Sequence, residues 1–343
     1  MTAKTIALSG GPQEQAALLQ NFRADSIVED CEAIRRNLTR NYPSEKKKWT
    51  IMGQSFGGFC CVHYLSKYPE SLQEVFTTGG LPPLVEHPDI VYEQLLKKIK
   101  SRNAAYYSKY PEDVSRVKNI IRYIQNNNVS LPSGGKLSVL RLRQLGMDFG
   151  FHGGIDVVHE MICRLTTDLN HFDFFTRPTL AQFEEMQPFD KYPLYALMHQ
   201  PLYARRNAPN WSADRVLKRH PEFMHISLDD NQPVLFTGEM VFRDMYNDYD
   251  ELRPLLATAD ILESKDDWPE LYDEAKLAKN EVPVYSASFI EDMYVDFDLA
   301  RETASKINNC KTFVTNVLYH DALVNKTDEL MKHLFALRDD VID

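Results

Sequence analysis

Three residue types in this chain could together open an acyl bond. They are a serine in Gly53-Gln54-Ser55-Phe56-Gly57, an acid among Glu291, Asp292 and Asp296, and His320. A serine hydroxyl is a weak nucleophile at neutral pH. It needs a base to take its proton, and the base needs a carboxylate to hold its ring. G-x-S-x-G between an apolar run and a helical pattern is the signature of a sharp strand-to-helix turn that lifts the serine hydroxyl clear of the sheet. The flanking positions must be small because the helix returns close to the strand, and Gly53 and Gly57 meet that need. The same turn leaves the Phe56 N–H at a helix N-terminus, where it can stabilise an oxyanion. The short pattern alone arises by chance. Its surroundings give it weight: "WTIMG" precedes it, Phe59, Val62, Leu65 and Tyr68 follow at helical spacing, and Pro69 closes the helix.

A nucleophile on such a turn calls for the order serine, acid, histidine along the chain, with the acid after a late strand and the histidine after the last one. "VPVYSASFIEDMYVDF" puts Glu291 and Asp292 just past a strand pattern, and "TFVTNVLYHDAL" puts His320 just past another. Asp292 is the better acid, with Glu291 and Asp296 as alternates. Any single acid is weak evidence in a chain with 49 of them, whereas His320 is one of ten histidines. His152, His171 and His199 read as ordinary cap or pocket residues, and His159 lacks an H-E-x-x-H partner. "FTGEMVF" sets Glu239 among apolar residues, where a carboxylate is costly unless paired. It is either a structural acid paired with an arginine or a receptor for a substrate ammonium group; the residues leave both open. "LSGGP" at 8–12 lacks the G-K-[ST] ending of a phosphate loop and reads as a turn.

The elements that must position these residues follow from periodicity. Residues 14–40 carry helical spacing, with Asp25 or Ser26 as a cap for the second of two helices. Buried strands are expected at "WTIMG" and at 74–80. From about 87 to 232 helical patterns take over, at 90–99, 114–124, 137–145 and 155–169, joined by loops such as "NNNVSLPSGGK". Strands return at 282–289 and 311–317 with a helix at 299–308 between them. A C-terminal helix within 321–341 sets Leu330, Leu334 and Leu337 on one face. Alternating strands and helices predict a mostly parallel α/β sheet, and the middle stretch predicts an inserted helical cap. The expected division is 1–86 as core with the turn, 87–232 as cap, and 233–343 as the rest of the core.

Bulk properties bound the function. The net charge is −10 and no basic face or tail stands out, which argues against a nucleic-acid binder. The triplet Lys46-Lys47-Lys48 reads as a solvated loop. Five cysteines without C-x-x-C spacing argue against a disulfide scaffold or a zinc module and fit a reducing cytosol. The N-terminus lacks an apolar signal region, and no stretch reaches the length of a membrane span. A soluble cytoplasmic protein is the expectation.

At the residues already named, and over nearly the whole chain, the sequence resembles the proline iminopeptidase (prolyl aminopeptidase) family of α/β-hydrolases, in its larger fungal and actinobacterial branch. The segments that carry the resemblance are "GGPQEQAALLQNFRADSIVEDCEAIRRNL", "GQSFGGFCCVHYLSKYPE", "TTGGLPPL", "YALMHQPLY", "NWSADRV", "FTGEM", "DDWPELYD" and "EVPVYSASFIEDMYVDFDLARETA", with the region of His320. The resemblance implies hydrolysis of an N-terminal proline from a peptide by Ser55, Asp292 and His320, with no metal or cofactor. It implies that acids under the cap hold the free amine, which favours the receptor reading of Glu239. Gln200 in "LMHQPLY" stands where the family often has Glu, and a neutral amide would hold an ammonium less strongly.

The resemblance also implies an upstream H-G-G-P-G motif carrying a second oxyanion donor, followed by D-x-R-G-x-G-x-S. Neither is in this sequence. The expectation is a sheet with "WTIM" at an exposed edge, open to pairing with another chain. Loss of one oxyanion donor costs about 10²–10³-fold in rate, so a weak or inactive hydrolase is expected. An esterase or amidase with the same residues, or a non-catalytic relative, are the alternatives.

Overall fold

The computed structural model describes residues 1–339. The chain divides into two compact units. One, the sheet unit, comprises Gln20–His87, Leu202–Asn207 and Asp267–Asp343. The other, the helical unit, comprises Met1–Leu19, Pro88–Pro201 and Ala208–Asp266.

The sheet unit holds four parallel strands, β1 (Trp49–Gln54), β2 (Leu72–Thr78), β3 (Val284–Phe289) and β4 (Cys310–Thr315), in the spatial order of their numbering. Parallel neighbours need a crossover, and helices supply it. Phe56–Lys67 joins β1 to β2, and Phe297–Lys306 joins β3 to β4. Every residue of β3 is buried, which explains its near-continuous apolar run. β1 alternates instead, with Thr50 and Met52 exposed, because among the described residues it pairs on one side only. The expectation of an exposed edge at "WTIM" therefore describes this strand better than the expectation of a buried one. Phe76, Tyr285, Ala287 and Phe289 pack with Leu318, Leu330 and Leu334 in one core cluster, and Leu337 packs against its margin. This is the face expected of the C-terminal helix, observed as Thr327–Asp339; positions 340 and 341 of that expectation lie outside the described residues.

Glu32 fastens the helix Ala24–Leu38 to the helix after the serine. Its buried carboxylate accepts from Arg35 at 2.7 and 2.8 Å, from Arg36 at 2.7 Å and from the Tyr64 hydroxyl at 2.7 Å. The Arg35 guanidinium, together with those other donors, holds the Glu32 carboxyl down at about 2. The cap of Ala24–Leu38 is Arg23, without a side-chain bond, rather than Asp25 or Ser26. Asp25 lies in the first turn and accepts from the Ser26 N–H at 3.0 Å.

The helical unit is built mainly on Pro88–Lys109, Asp113–Asn126 and Gly154–Phe172. Tyr106, Phe149 and Phe236 pack at 4.9–5.5 Å between ring centroids. Buried Arg141 lies 3.7 Å over the Tyr249 ring and is satisfied by Gln187, Asp190 and the Asp248 carbonyl. This unit is larger than the stretch 87–232. Residues 1–19 belong to it because Ala3 N–H bonds to Glu251 at 2.6 Å and Thr258 bonds to Gln15 at 2.6 Å. Residues 233–266 belong to it as well, since they contain helices and no strand.

Candidate active site

Ser55 sits between the end of β1 and the first residue of Phe56–Lys67, with φ 53° and ψ −126°. That conformation costs a non-glycine residue about 1–3 kcal/mol and persists only where the surroundings enforce it. Here they do. The Ser55 N–H donates to the Thr78 carbonyl at 3.1 Å, and the Ser55 carbonyl accepts from the Gly58 N–H at 2.8 Å. The turn is tight enough that a Cβ on Gly53 would lie 2.2 Å from the Gly57 backbone. The second enforced glycine is Gly58, not Gly57. A Cβ on Gly58 would lie 2.4 Å from the Gly80 carbonyl oxygen, whereas one on Gly57 meets nothing within 4 Å. Spacing alone points to the G-x-S-x-G glycines; the close approach of β2's following loop selects their neighbour.

Phe56 is the first helical residue, so its N–H belongs to the set that an α-helix leaves without an internal carbonyl. Two cysteines further along this helix do not compete as nucleophiles: burial pushes both the Cys60 and Cys61 thiols up to about 12.

His320 follows β4 and Asp292 follows β3, and the structure brings them together. The buried His320 Nδ1 lies 2.8 Å from Asp292 Oδ2. Asp292 Oδ1 accepts the N–H groups of Tyr294 at 2.8 Å and Val295 at 2.9 Å, which fixes the carboxylate and leaves Oδ2 for the ring. Since a carboxylate can only accept, Nδ1 carries the proton and Nε2 is the basic nitrogen. The Tyr294 ring lies 4.5 Å from the His320 ring. Of the alternates, Asp296 instead caps Phe297–Lys306 by accepting from the Leu299 N–H at 3.0 Å. The positive-φ residue Gly79 leaves room for the pair, since a Cβ there would lie 3.0 Å from His320 Nδ1 and 3.2 Å from Asp292 Oδ2.

One positioning residue is not visible in the pattern. Gln54, the variable position of the motif, donates its side-chain amide to the His320 carbonyl at 2.9 Å. Nothing in the sequence distinguishes this glutamine from any other.

A family of the α/β-hydrolase fold matches residues 7–139. The chain is 47% identical to the proline iminopeptidase aneH of Aspergillus aculeatus, over 100% of this chain and 76% of that protein. The chain belongs to the proline iminopeptidase family. A second member, the proline iminopeptidase of Aeromonas sobria, is 36% identical over 96% of this chain and 75% of that protein. Among solved structures, a bromoperoxidase from Bacillus anthracis aligns over 93% of this chain and 75% of its own, at 13% identity and a TM-score of 0.38. The α/β-hydrolase fold expected from the sequence is the fold of this family.

The two residues expected to hold an amine lie in the helical unit. Glu239 accepts from the Tyr195 hydroxyl, and its Oε2 lies 3.4 Å from His199 Nε2. His199 Nδ1 in turn lies 3.0 Å from the Tyr92 hydroxyl. Glu239 therefore has a histidine beside it. Gln200 is fully buried; its amide donates to the Val241 carbonyl at 2.9 Å and accepts from the Ala213 N–H at 3.4 Å. Among the described residues all five cysteines are free thiols, and no helix is long and apolar enough to cross a membrane.

Proposed function

We propose that this chain is a serine aminopeptidase-type hydrolase that releases N-terminal proline from peptides through an acyl-enzyme on Ser55. The observation that supports the reading is the 2.8 Å bond between His320 Nδ1 and Asp292 Oδ2, together with a strained Ser55 whose neighbour Gln54 bonds to the His320 carbonyl, in a chain 47% identical to a named proline iminopeptidase.

His320 Nε2 takes the Ser55 proton as Oγ adds to the carbonyl carbon of the proline residue. Asp292 stabilises the resulting imidazolium and keeps the ring in its productive tautomer. The Phe56 N–H receives the oxyanion. Collapse breaks the C–N bond, and the imidazolium gives its proton to the leaving amine. Water, deprotonated by the same nitrogen, then hydrolyses the ester and frees proline. Glu239 is the proposed receptor for the secondary ammonium of the substrate, supported by its part-exposed carboxylate fixed by Tyr195. Gln200, whose amide is committed to main-chain partners, acts on the substrate only through the packing it maintains.

The test is a comparison of proline arylamide with its N-acetylated counterpart. Cleavage of the free amine alone, with KM raised in Glu239→Gln, supports the reading. Equal cleavage of both substrates would move the chain to the esterase or amidase class.

A further inference from the structure

The C-terminal end of the helix Ala24–Leu38 holds large apolar side chains in water. Ile34 is 52% exposed, Leu38 62%, and Tyr42, just beyond the helix, 55%. Ile34 and Leu38 are four residues apart and share a face. It is not the face that packs inward, which carries Ala24, Val28, Glu32 and Arg35. Exposed apolar residues scattered singly are ordinary, whereas a group on neighbouring turns, rimmed by polar residues, marks a contact surface.

The rim here is basic. Between positions 33 and 48 the chain has Arg35, Arg36, Arg40, Lys46, Lys47 and Lys48 against a single acid, Glu45, although its net charge is −10. The acids of the helix itself, Asp25, Glu29, Asp30 and Glu32, all come before Ile34. The fold draws the following loop back to the helix end. Arg35 Nη1 donates to the Lys47 carbonyl at 2.6 Å, and the Tyr42 N–H donates to the Thr39 carbonyl at 2.9 Å. Arg40, Lys46 and Lys47 form no ion pair among the described residues. Arg36 bonds to Glu32 and still leaves most of its side chain in water. Lys48 borders a groove that also holds Glu70, Asp273 and Glu281, so it is set apart from the rim. The lysine triplet expected as a solvated loop is therefore joined by the fold to apolar residues that precede it by a whole loop.

We propose that this surface docks on a membrane leaflet rich in anionic lipid. Ile34, Leu38 and Tyr42 enter the headgroup boundary, and Arg40, Lys46 and Lys47 meet the lipid phosphates and carboxylates. An amphipathic tyrosine ring suits that depth. Nucleic acid would answer the cations but leave the aliphatic side chains in water. A second copy is disfavoured, because a two-fold contact sets the same patch against itself and brings these cations face to face. Near an anionic leaflet each lysine or arginine strengthens binding about fivefold.

The experiment is co-sedimentation of the full chain with vesicles of phosphatidylcholine alone and of phosphatidylcholine with phosphatidylserine. The expected result is binding to the anionic vesicles only, released by salt. Arg40→Gln, Lys46→Gln and Lys47→Gln combined should weaken it by about a hundredfold. Ile34→Ser with Leu38→Ser should weaken it at least about tenfold. Circular dichroism shows that each variant is folded. Absence of binding to the anionic vesicles, or binding unchanged in the triple variant, would overturn the proposal. Binding unchanged in the double variant, or equal affinity for soluble polyglutamate, would make the patch a site for an acidic protein and overturn it too. Pelleting without vesicles that stops in the double variant would place a second copy on the patch, with the same consequence.

Discussion

The side chain of Gln54 donates to the main-chain carbonyl of His320 at 2.9 Å, linking the residue before the proposed nucleophile to the residue proposed as its base. β1 and the loop after β4 lie at opposite ends of the sheet order, and this bond ties them at their C-terminal ends. Replacing Gln54 by Leu keeps the size and removes the donor. The expected outcome is kcat lower by about ten- to a hundredfold at nearly unchanged KM, the range for a misplaced catalytic group. Steady-state kinetics on proline arylamide read it directly.

The glycines of the turn make separable predictions. Gly58→Ala sets a Cβ 2.4 Å from the Gly80 carbonyl oxygen, so helix or loop must move. A loss of about 1–3 kcal/mol is expected from such overpacking. Gly57→Ala meets open space and should melt at or above the native temperature, because alanine favours the helix. Thermal denaturation of the two single variants checks the contrast.

Asp292 and Asp296 are four residues apart, yet they should fail in different ways. Asp292→Asn keeps the shape and loses the charge that fixes the His320 tautomer, with an expected fall of about 10⁴ in kcat. Asp296→Ala removes a helix cap and should cost about 0.5–2 kcal/mol of stability. Activity per folded molecule, measured beside urea unfolding, separates the two.

Two buried glutamates give stability opposite slopes with pH. Desolvation raises the Glu263 carboxyl from its ordinary 4.5 to about 8. The folded chain then holds a proton that the unfolded chain releases, so this contribution is full below about 4.5 and is lost as pH rises to 8. Glu32 is held at about 2 by Arg35 and its other donors. Its contribution is full above 4.5 and is lost as pH falls towards 2. Melting curves across this range should flatten on the alkaline side in Glu263→Gln and on the acid side in Glu32→Gln.

The strands, the helix after Ser55 and the sites of Asp292 and His320 were legible because each depends on local pattern. A fully buried strand such as β3 must be apolar throughout, and a serine at φ 53° must be followed by a chain that can turn close to the strand. Relations set by distant segments were not legible. Gly58 is constrained by Gly80, Gln54 by His320, and Glu32 by Tyr64 on another helix. The extent of the helical unit was hidden for the same reason. Residues 1–19 join it through Glu251 and Thr258, more than two hundred positions away in sequence.

The central claim is that Ser55 is a nucleophile activated by His320. Reaction with a fluorophosphonate, followed by peptide mapping, tests it independently of how fast any peptide is turned over. The account predicts an adduct on Ser55 that is absent in Ser55→Ala and forms far more slowly in His320→Ala. An unlabelled Ser55 in the folded chain, or equal labelling with and without His320, would contradict it.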